Sequence, residues 1–258
     1  MNHEKTAAHF DMTGKVCVIT GGSRGLGKQM AHAFADAGAS VIVSSRKQAG
    51  CDAAAGEIAA ATGQKIVAHA CHVADWDQCD SLLNRAYDEF GKVDVLVNNA
   101  GMSPLYPKLS DVSRELWDKV IGVNLAGPFR LSAVAAERMA AGDGGSIINV
   151  SSIAAIAPSA AEIPYGAAKA GLNNLTEAIA HAYGPKVRAN CIMPGPFLTD
   201  IADAWTDEVK DAMFSRIPLK RGGAPEEIIG IALYLASDAS AYTTGSLIKV
   251  DGGAAYRS

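Results

Sequence analysis

What the chain does not contain narrows its function first. No apolar stretch reaches the ~20 residues that a membrane-spanning helix needs. No long block of like charge interrupts it, and 27 acidic residues against 23 Lys and Arg leave a formal net charge of -4. That balance argues against nucleic acid or an anionic membrane surface as a partner. Cysteine is sparse: Cys17, Cys51, Cys71, Cys79 and Cys191 form no CxxC pair and match no zinc spacing. They are expected to be reduced structural thiols, and no metal is expected. The first twelve residues, MNHEKTAAHFDM, lack the apolar core of a secretory signal, and the terminal AAYRS is neither a peroxisomal address nor a lipidation box. The expected location is the cytoplasm.

What is present is a rhythm. The 258 residues are 49% hydrophobic, enough to bury a full α/β core. Short apolar runs at 16–20, 40–45, 65–73, 93–100, 146–152, 187–195 and 246–253 read as strands. Helix-like stretches lie between them, including one long run over 113–140 and another over 164–184. Near-continuously apolar strands alternating with helices predict a parallel sheet covered on both faces. The expectation is a single-domain, Rossmann-type, doubly wound sheet of about seven strands spanning residues 1–258. One stretch breaks the rhythm. Residues 197–222 form a long insertion after a strand and carry Trp205, Met213 and Phe214 among charges. It reads as a lid, because ligands sit outside the carboxyl ends of parallel strands. A plain surface helix pair is the other reading.

The first strand, VCVIT, runs into TGGSRGLG, with Gly21, Gly25 and Gly27 ahead of a helical stretch. Glycine costs backbone entropy, so a cluster of it implies a sharp turn and a close approach. A helix N-terminus offers free N–H groups and a positive dipole end, which suit a pyrophosphate. The second strand ends in Ser44, Ser45, Arg46 and Lys47, with no carboxylate to hold the ribose hydroxyls of NAD. Arg46 is placed to meet a 2′-phosphate, with Arg24 a second candidate, since guanidinium donates to phosphate from a planar fork. This favours NADP(H), with NAD(H) as the other option.

Tyr165 and Lys169 stand four residues apart in PYGAAKAGLNNL, on one helix face. A phenol has a reference pKa of about 10. A nearby ammonium lowers it, which lets Tyr165 exchange a proton with a carbinol oxygen near neutral pH. Ser152, at the end of the strand SIINVSS, can hold a substrate oxygen against that tyrosine, while Ser151 points to the other strand face. Asn124 is polar in an apolar run. It is either a satisfied core amide or the holder of a water next to the lysine.

Taken in order, these motifs resemble the short-chain dehydrogenase/reductase family over residues 13–255. TGGSRGLG matches TGxxxGxG, NNAG (98–101) follows the fourth strand, and Asn124, Ser152, Tyr165 and Lys169 match the four catalytic positions. PGPFLT (194–199) and VDGG (250–253) complete the set. The resemblance implies hydride transfer between nicotinamide and a carbonyl or carbinol carbon. Tyr165 is then the acid/base. Lys169 lowers its pKa and binds the nicotinamide ribose, Ser152 orients substrate, and Asn124 holds a relay water. It implies a cofactor lined by Gly21, Ser23, Arg24, Gly25, Leu26, Gly27, Ser45, Arg46, Asn99 and Gly101. Pro194, Gly195, Phe197 and Thr199 close on the nicotinamide. It also implies a homotetramer, with helices about 112–140 and 164–183 pairing between subunits. The family usually has aspartate where His72 stands; neutral histidine can accept a hydrogen bond too, so the adenine contact is expected from His72 together with the Val73 backbone.

The branch resembled is that of NADPH-preferring carbonyl and ketoacyl reductases. The alternative is an NAD-dependent dehydrogenase of a sugar, polyol or steroid alcohol. A non-catalytic dinucleotide-binding member is disfavoured because such proteins typically lose the tyrosine or lysine. Fold alone does not separate hydride transfer from epimerisation or dehydration. The substrate wall is expected from Met102, Ser103, Ile153, Pro158, Ile163, Trp205 and Met213, mostly apolar, which points to a hydrophobic or cyclic ketone. No basic cluster suggests an acyl-carrier partner, and only Arg114 and Arg130 are left open as docking sites.

Overall fold

The apolar runs become seven strands of one parallel sheet, as the alternation predicts. The computed structural model describes residues 7–200 and 206–255. The strands are β1 (Val16–Thr20), β2 (Ser40–Ser45), β3 (Ile66–Ala70), β4 (Val95–Asn98), β5 (Gly145–Val150), β6 (Val187–Pro194) and β7 (Leu247–Val250). Their order is β3-β2-β1-β4-β5-β6-β7, all parallel. After β3 the chain returns to the far side of β1, so the crevice at the carboxyl ends of β1 and β4 is the topological switch point.

Alternation along each strand feeds two cores. Cys17 and Ile19 of β1 join Met30 and Phe34 of α1 (Gly25–Asp36), Ile58 of α2 (Gln48–Thr62) and Leu235 of α8 (Ile229–Ala236). Val18 faces the other way, toward Leu82 and Leu83 of α3 (Trp76–Phe90), Leu131 of α5 (Gly127–Ala141) and Ile179 of α6 (Ile163–Tyr183). Two-sided burial explains why the strands carry so few polar residues.

Three elements differ from the sequence expectation. The run over 113–140 is α4 (Arg114–Ile121), then a wide π turn over Gly122–Ala126, then α5. The glycines flanking that turn allow close packing: a Cβ on Gly127 would lie 2.2 Å from the Val73 carbonyl oxygen. β3 stops at Ala70 rather than 73, because the His72 N–H is taken by the Gln78 side chain (2.9 Å) instead of a neighbouring strand. In the 197–222 insertion the described residues hold one helix, α7 (Asp207–Phe214), N-capped by Thr206 and burying no residue. Trp205 lies outside the described residues. The base of the insertion is tied down, with Leu198 N–H donating to the Gly223 carbonyl (2.8 Å) and Gly223 N–H to that of Pro196 (3.0 Å).

Among the described residues no helix is long and apolar enough to cross a membrane. All five cysteines are buried and unpaired, and no His, Cys, Asp and Glu cluster among the described residues could hold a metal ion.

Candidate active site

The glycine turn is shaped by its own packing. A Cβ on Gly27 would lie 2.2 Å from the Gly21 carbonyl oxygen, and Gly25 sits at φ +54. The Asn99 side chain donates to the Thr20 and Gly21 carbonyls (3.0 and 3.1 Å), bracing the turn from β4. Asn99 therefore braces the turn through its side-chain amide, whereas the sequence pointed only to its backbone. Leu26 packs against the core. The first turn of α1 carries no acid, and its N-cap, Arg24, makes no side-chain cap. Its N–H groups thus face the crevice without an internal anion. The residues fit a pyrophosphate: the turn is glycine-rich and the first turn of the helix holds neither an acid nor a side-chain cap.

At the end of β2, Arg46 is exposed, with no ion-pair partner among the described residues. Ser23 comes within 3.8 Å of where a Cβ on Gly50 would stand, so the glycine turn and the start of α2 meet beside Ser45 and Arg46. Arg24 is turned elsewhere: its guanidinium lies 3.8 Å from Asp200, at the base of the insertion, and both are well exposed. Thr199 stands 3.6 Å from the Cβ position of Gly25, joining the same two segments. The Val73 carbonyl accepts from the Cys79 thiol (3.2 Å) and is turned inward. The His72 ring is partly exposed.

The four predicted catalytic side chains converge beyond β4 and β5. Lys169 is 2% exposed, and its ammonium donates to the Val150 carbonyl (2.7 Å) and lies 5.6 Å from the Tyr165 ring centre. A Cβ on Gly101 would meet Asn124 Oδ1 at 3.0 Å and Lys169 Nζ at 3.6 Å, so bare glycine lets the NNAG segment lie over both. Ser151 turns inward and donates to the Lys169 carbonyl (3.1 Å), leaving Ser152 to face Tyr165. Asn124 is fully buried. Its amide donates to the Met102 and Val120 carbonyls (2.8 and 2.9 Å) and its oxygen accepts from Met102 N–H (3.2 Å). The satisfied core amide is thus what the geometry gives for its side chain. The π turn around it is the kind of irregularity that loosens backbone carbonyls at functional sites.

The electrostatics correct one expectation. Burial pushes the Tyr165 phenol up to about 12; the Ser152 hydroxyl works against this, and the Glu162 charge adds to it. Lys169 is not among the groups that shift it. Instead burial holds Lys169 itself down to about 8, with Cys191 acting weakly the other way. Desolvation is the largest cause for both groups, since each side chain lies in the packed carboxyl edge of the sheet.

At the far side, Gly195 packs tightly on Asp251, Pro194 ends β6, and Phe197 is buried against Gly223. Sequence reasoning missed Glu162 and Tyr106. The Tyr106 hydroxyl donates to the Ala160 carbonyl and accepts from Ile163 N–H, both at 2.8 Å, pinning the start of α6. Neither residue belongs to a spacing pattern, so nothing in the string flagged them. Arg114 and Arg130 are paired with Asp118 and Asp80, the first pair well exposed and the second partly so.

A family model described as Enoyl-(Acyl carrier protein) reductase matches residues 21–255. The chain belongs to the short-chain dehydrogenase/reductase family. This oxidoreductase is 42% identical to the L-rhamnose 1-dehydrogenase (NAD(P)(+)) of Azotobacter vinelandii, over 93% of this chain and 96% of that one. It is 37% identical to the 3-oxoacyl-[acyl-carrier-protein] reductase of Thermotoga maritima, over 94% and 98%. Among solved structures, the NADPH-dependent 3-quinuclidinone reductase of Rhodotorula rubra superposes with a TM-score of 0.92 at 30% identity, covering 98% of this chain and 96% of that one.

Proposed function

We propose that this enzyme transfers hydride between NADP(H) and a carbonyl or secondary alcohol, working as a ketone reductase with Tyr165 as acid/base. The observation that carries the reading is the facing of the Ser152 and Tyr165 hydroxyls beside a buried Lys169 that has no acidic partner among the described residues. Ser152 holds the substrate oxygen, and Tyr165 gives it a proton or takes one. Lys169 holds the nicotinamide ribose, and its ammonium stands 5.6 Å from the centre of the ring that gives up the proton. The bound nicotinamide supplies or accepts the hydride. The relay water attributed to Asn124 falls to the main chain of the π turn, since the side chain is already engaged.

Gly21, Gly25, Gly27 and the N-terminus of α1 cradle the pyrophosphate, and Ser23, Ser45 and Arg46 hold the 2′-phosphate. Exposed, unpaired Arg46 and the lack of an acid at the end of β2 support NADP(H). Residues 197–222 close as a lid over the nicotinamide, with Phe197 and Thr199 at its hinge. The reading includes a homotetramer assembled through α4, α5 and α6, supported by Trp117 and Phe129, 40% and 44% exposed on α4 and α5. A second reading, oxidation of a sugar or polyol with NAD, is favoured by the name of the Azotobacter vinelandii relative.

Thermal unfolding with NADPH and with NADH, for wild type and Arg46→Ala, separates the two. The proposal expects NADPH to raise the Tm more than NADH and the variant to lose the difference. An equal or larger shift with NADH overturns the cofactor assignment.

A further inference from the structure

Glu162 occupies the N-cap of α6 yet caps nothing. Aspartate, asparagine, serine or threonine there ordinarily accepts from the second or third N–H of the helix, and the longer glutamate is not among the preferred caps. Here Pro164 has no N–H to give, and the Ile163 N–H is taken by the Tyr106 hydroxyl (2.8 Å). The carboxylate turns instead toward the NNAG loop, where Ser103 Oγ donates to Oε2 at 3.4 Å, a long bond. Among the described residues no Lys or Arg pairs with it. Half-buried, it sits three residues before Tyr165 on the same helix, and its charge reaches the Tyr165 phenol.

We propose that Ser103 and Glu162 form a hydroxyl-binding subsite beside Tyr165, so that the enzyme acts on substrates bearing a hydroxyl next to the reacting carbon, as in a sugar or polyol. This deepens the reading above and rests on it. It revises the apolar wall inferred from Met102, Ile153 and Pro158. A half-buried carboxylate with one long hydrogen bond is costly until a ligand donor reaches it. A hydroxyl fits the pair because it can donate to the Glu162 carboxylate, and can accept from Ser103 once that O–H swings away from its long bond to Oε2. A cationic substrate fits less well, since Lys169 and the oxidised nicotinamide both place positive charge in the same crevice. Burial also holds the Glu162 carboxyl above its usual range, in keeping with a group that lacks a cation.

The test compares 2-hydroxycyclohexanone, cyclohexanone and 3-quinuclidinone as substrates with NADPH. Wild type is expected to prefer the hydroxyketone over cyclohexanone by about tenfold or more in kcat/KM. Glu162→Ala should bring that ratio near one, and Ser103→Ala should reduce it partly. Glu162→Gln is nearly isosteric; it should keep part of the preference and move the Tyr165-dependent limb of the pH profile to lower pH. The groups facing that limb are Tyr165, Lys169, Cys191 behind the lysine, and Glu162 itself. A role limited to holding the start of α6 would leave the limb in place. No preference in wild type, an unchanged preference in Glu162→Ala, or a Glu162-dependent preference for 3-quinuclidinone overturns the subsite. Turnover of none of the three counts against the reductase reading alone. Calorimetric titration of trans-cyclohexane-1,2-diol and cyclohexanol into NADP+-loaded protein then decides the subsite directly. Tighter diol binding that disappears in Glu162→Ala supports it, and equal binding overturns it.

Discussion

Arg46 and Lys169 are both single positive charges at the same crevice, in opposite surroundings. Arg46 is exposed at the end of β2 and has no partner among the described residues. Lys169 is 2% exposed and held by one carbonyl, with its pKa brought down to about 8. A charge kept in water costs the fold nothing and can recruit an anion when one arrives. A charge kept out of water strains the fold and acts strongly on whatever is brought beside it. The first arrangement suits binding and the second suits chemistry.

The largest test of that contrast is on turnover. Tyr165→Phe should lower kcat by about 10² to 10⁴ while keeping the NADPH-induced rise in Tm; retained turnover would sink the acid/base role. Next is the pH dependence of stability. The folded-state pKa of Lys169 lies below that of an unfolded lysine, so its cost is fully present below pH about 8 and is relieved as pH rises. Wild type should therefore gain on the order of 1 kcal/mol relative to Lys169→Met as the pH moves from about 8 to 9. The comparison must be made against the variant, because Cys191, raised to about 11, loses stability as the pH rises past its ordinary value. Parallel denaturant-derived curves for the two proteins would show that the buried charge has no such cost.

The exposed side should respond differently. Arg46→Ala should weaken NADPH by roughly tenfold to a hundredfold, leave NADH unchanged, and leave the Tm without cofactor where it is. Between these cases stands Gly27→Ala, whose added methyl has no room against the Gly21 carbonyl. It should cost about 1–3 kcal/mol and abolish the Tm rise with either cofactor. The smallest effect is expected from Asp200→Ala, which removes an exposed ion pair with Arg24. Such pairs contribute little, so calorimetry should find an unchanged Tm. A clear drop would mean that the pair holds the insertion in place.

Much of this was legible without coordinates. Gly21 and Gly25 announced a turn because few other residues tolerate positive φ, Gly27 announced a close approach, and Tyr165 and Lys169 announced a shared helix face because four residues make about one turn. The strands could be read because burial on both faces leaves little room for polar residues. Less legible were the π turn at Asn124, the engagement of the Asn124 amide, and the direction of the Tyr165 shift. Each depends on which backbone groups arrive from other segments: Val73 against Gly127, Met102 against Asn124, Val150 against Lys169.

By itself, then, the sequence determined the family, the order of strands and helices, and the identity of the residues gathered at the crevice. These follow from local periodicity and from spacing along the chain. Only the tertiary structure decided the electrical state of those residues and the neighbours they meet. Arg24 leans to Asp200 rather than to the end of β2, and Glu162 faces Ser103 rather than its own helix. Spacing acts along one dimension, whereas desolvation and pairing depend on distances that only the packed fold creates.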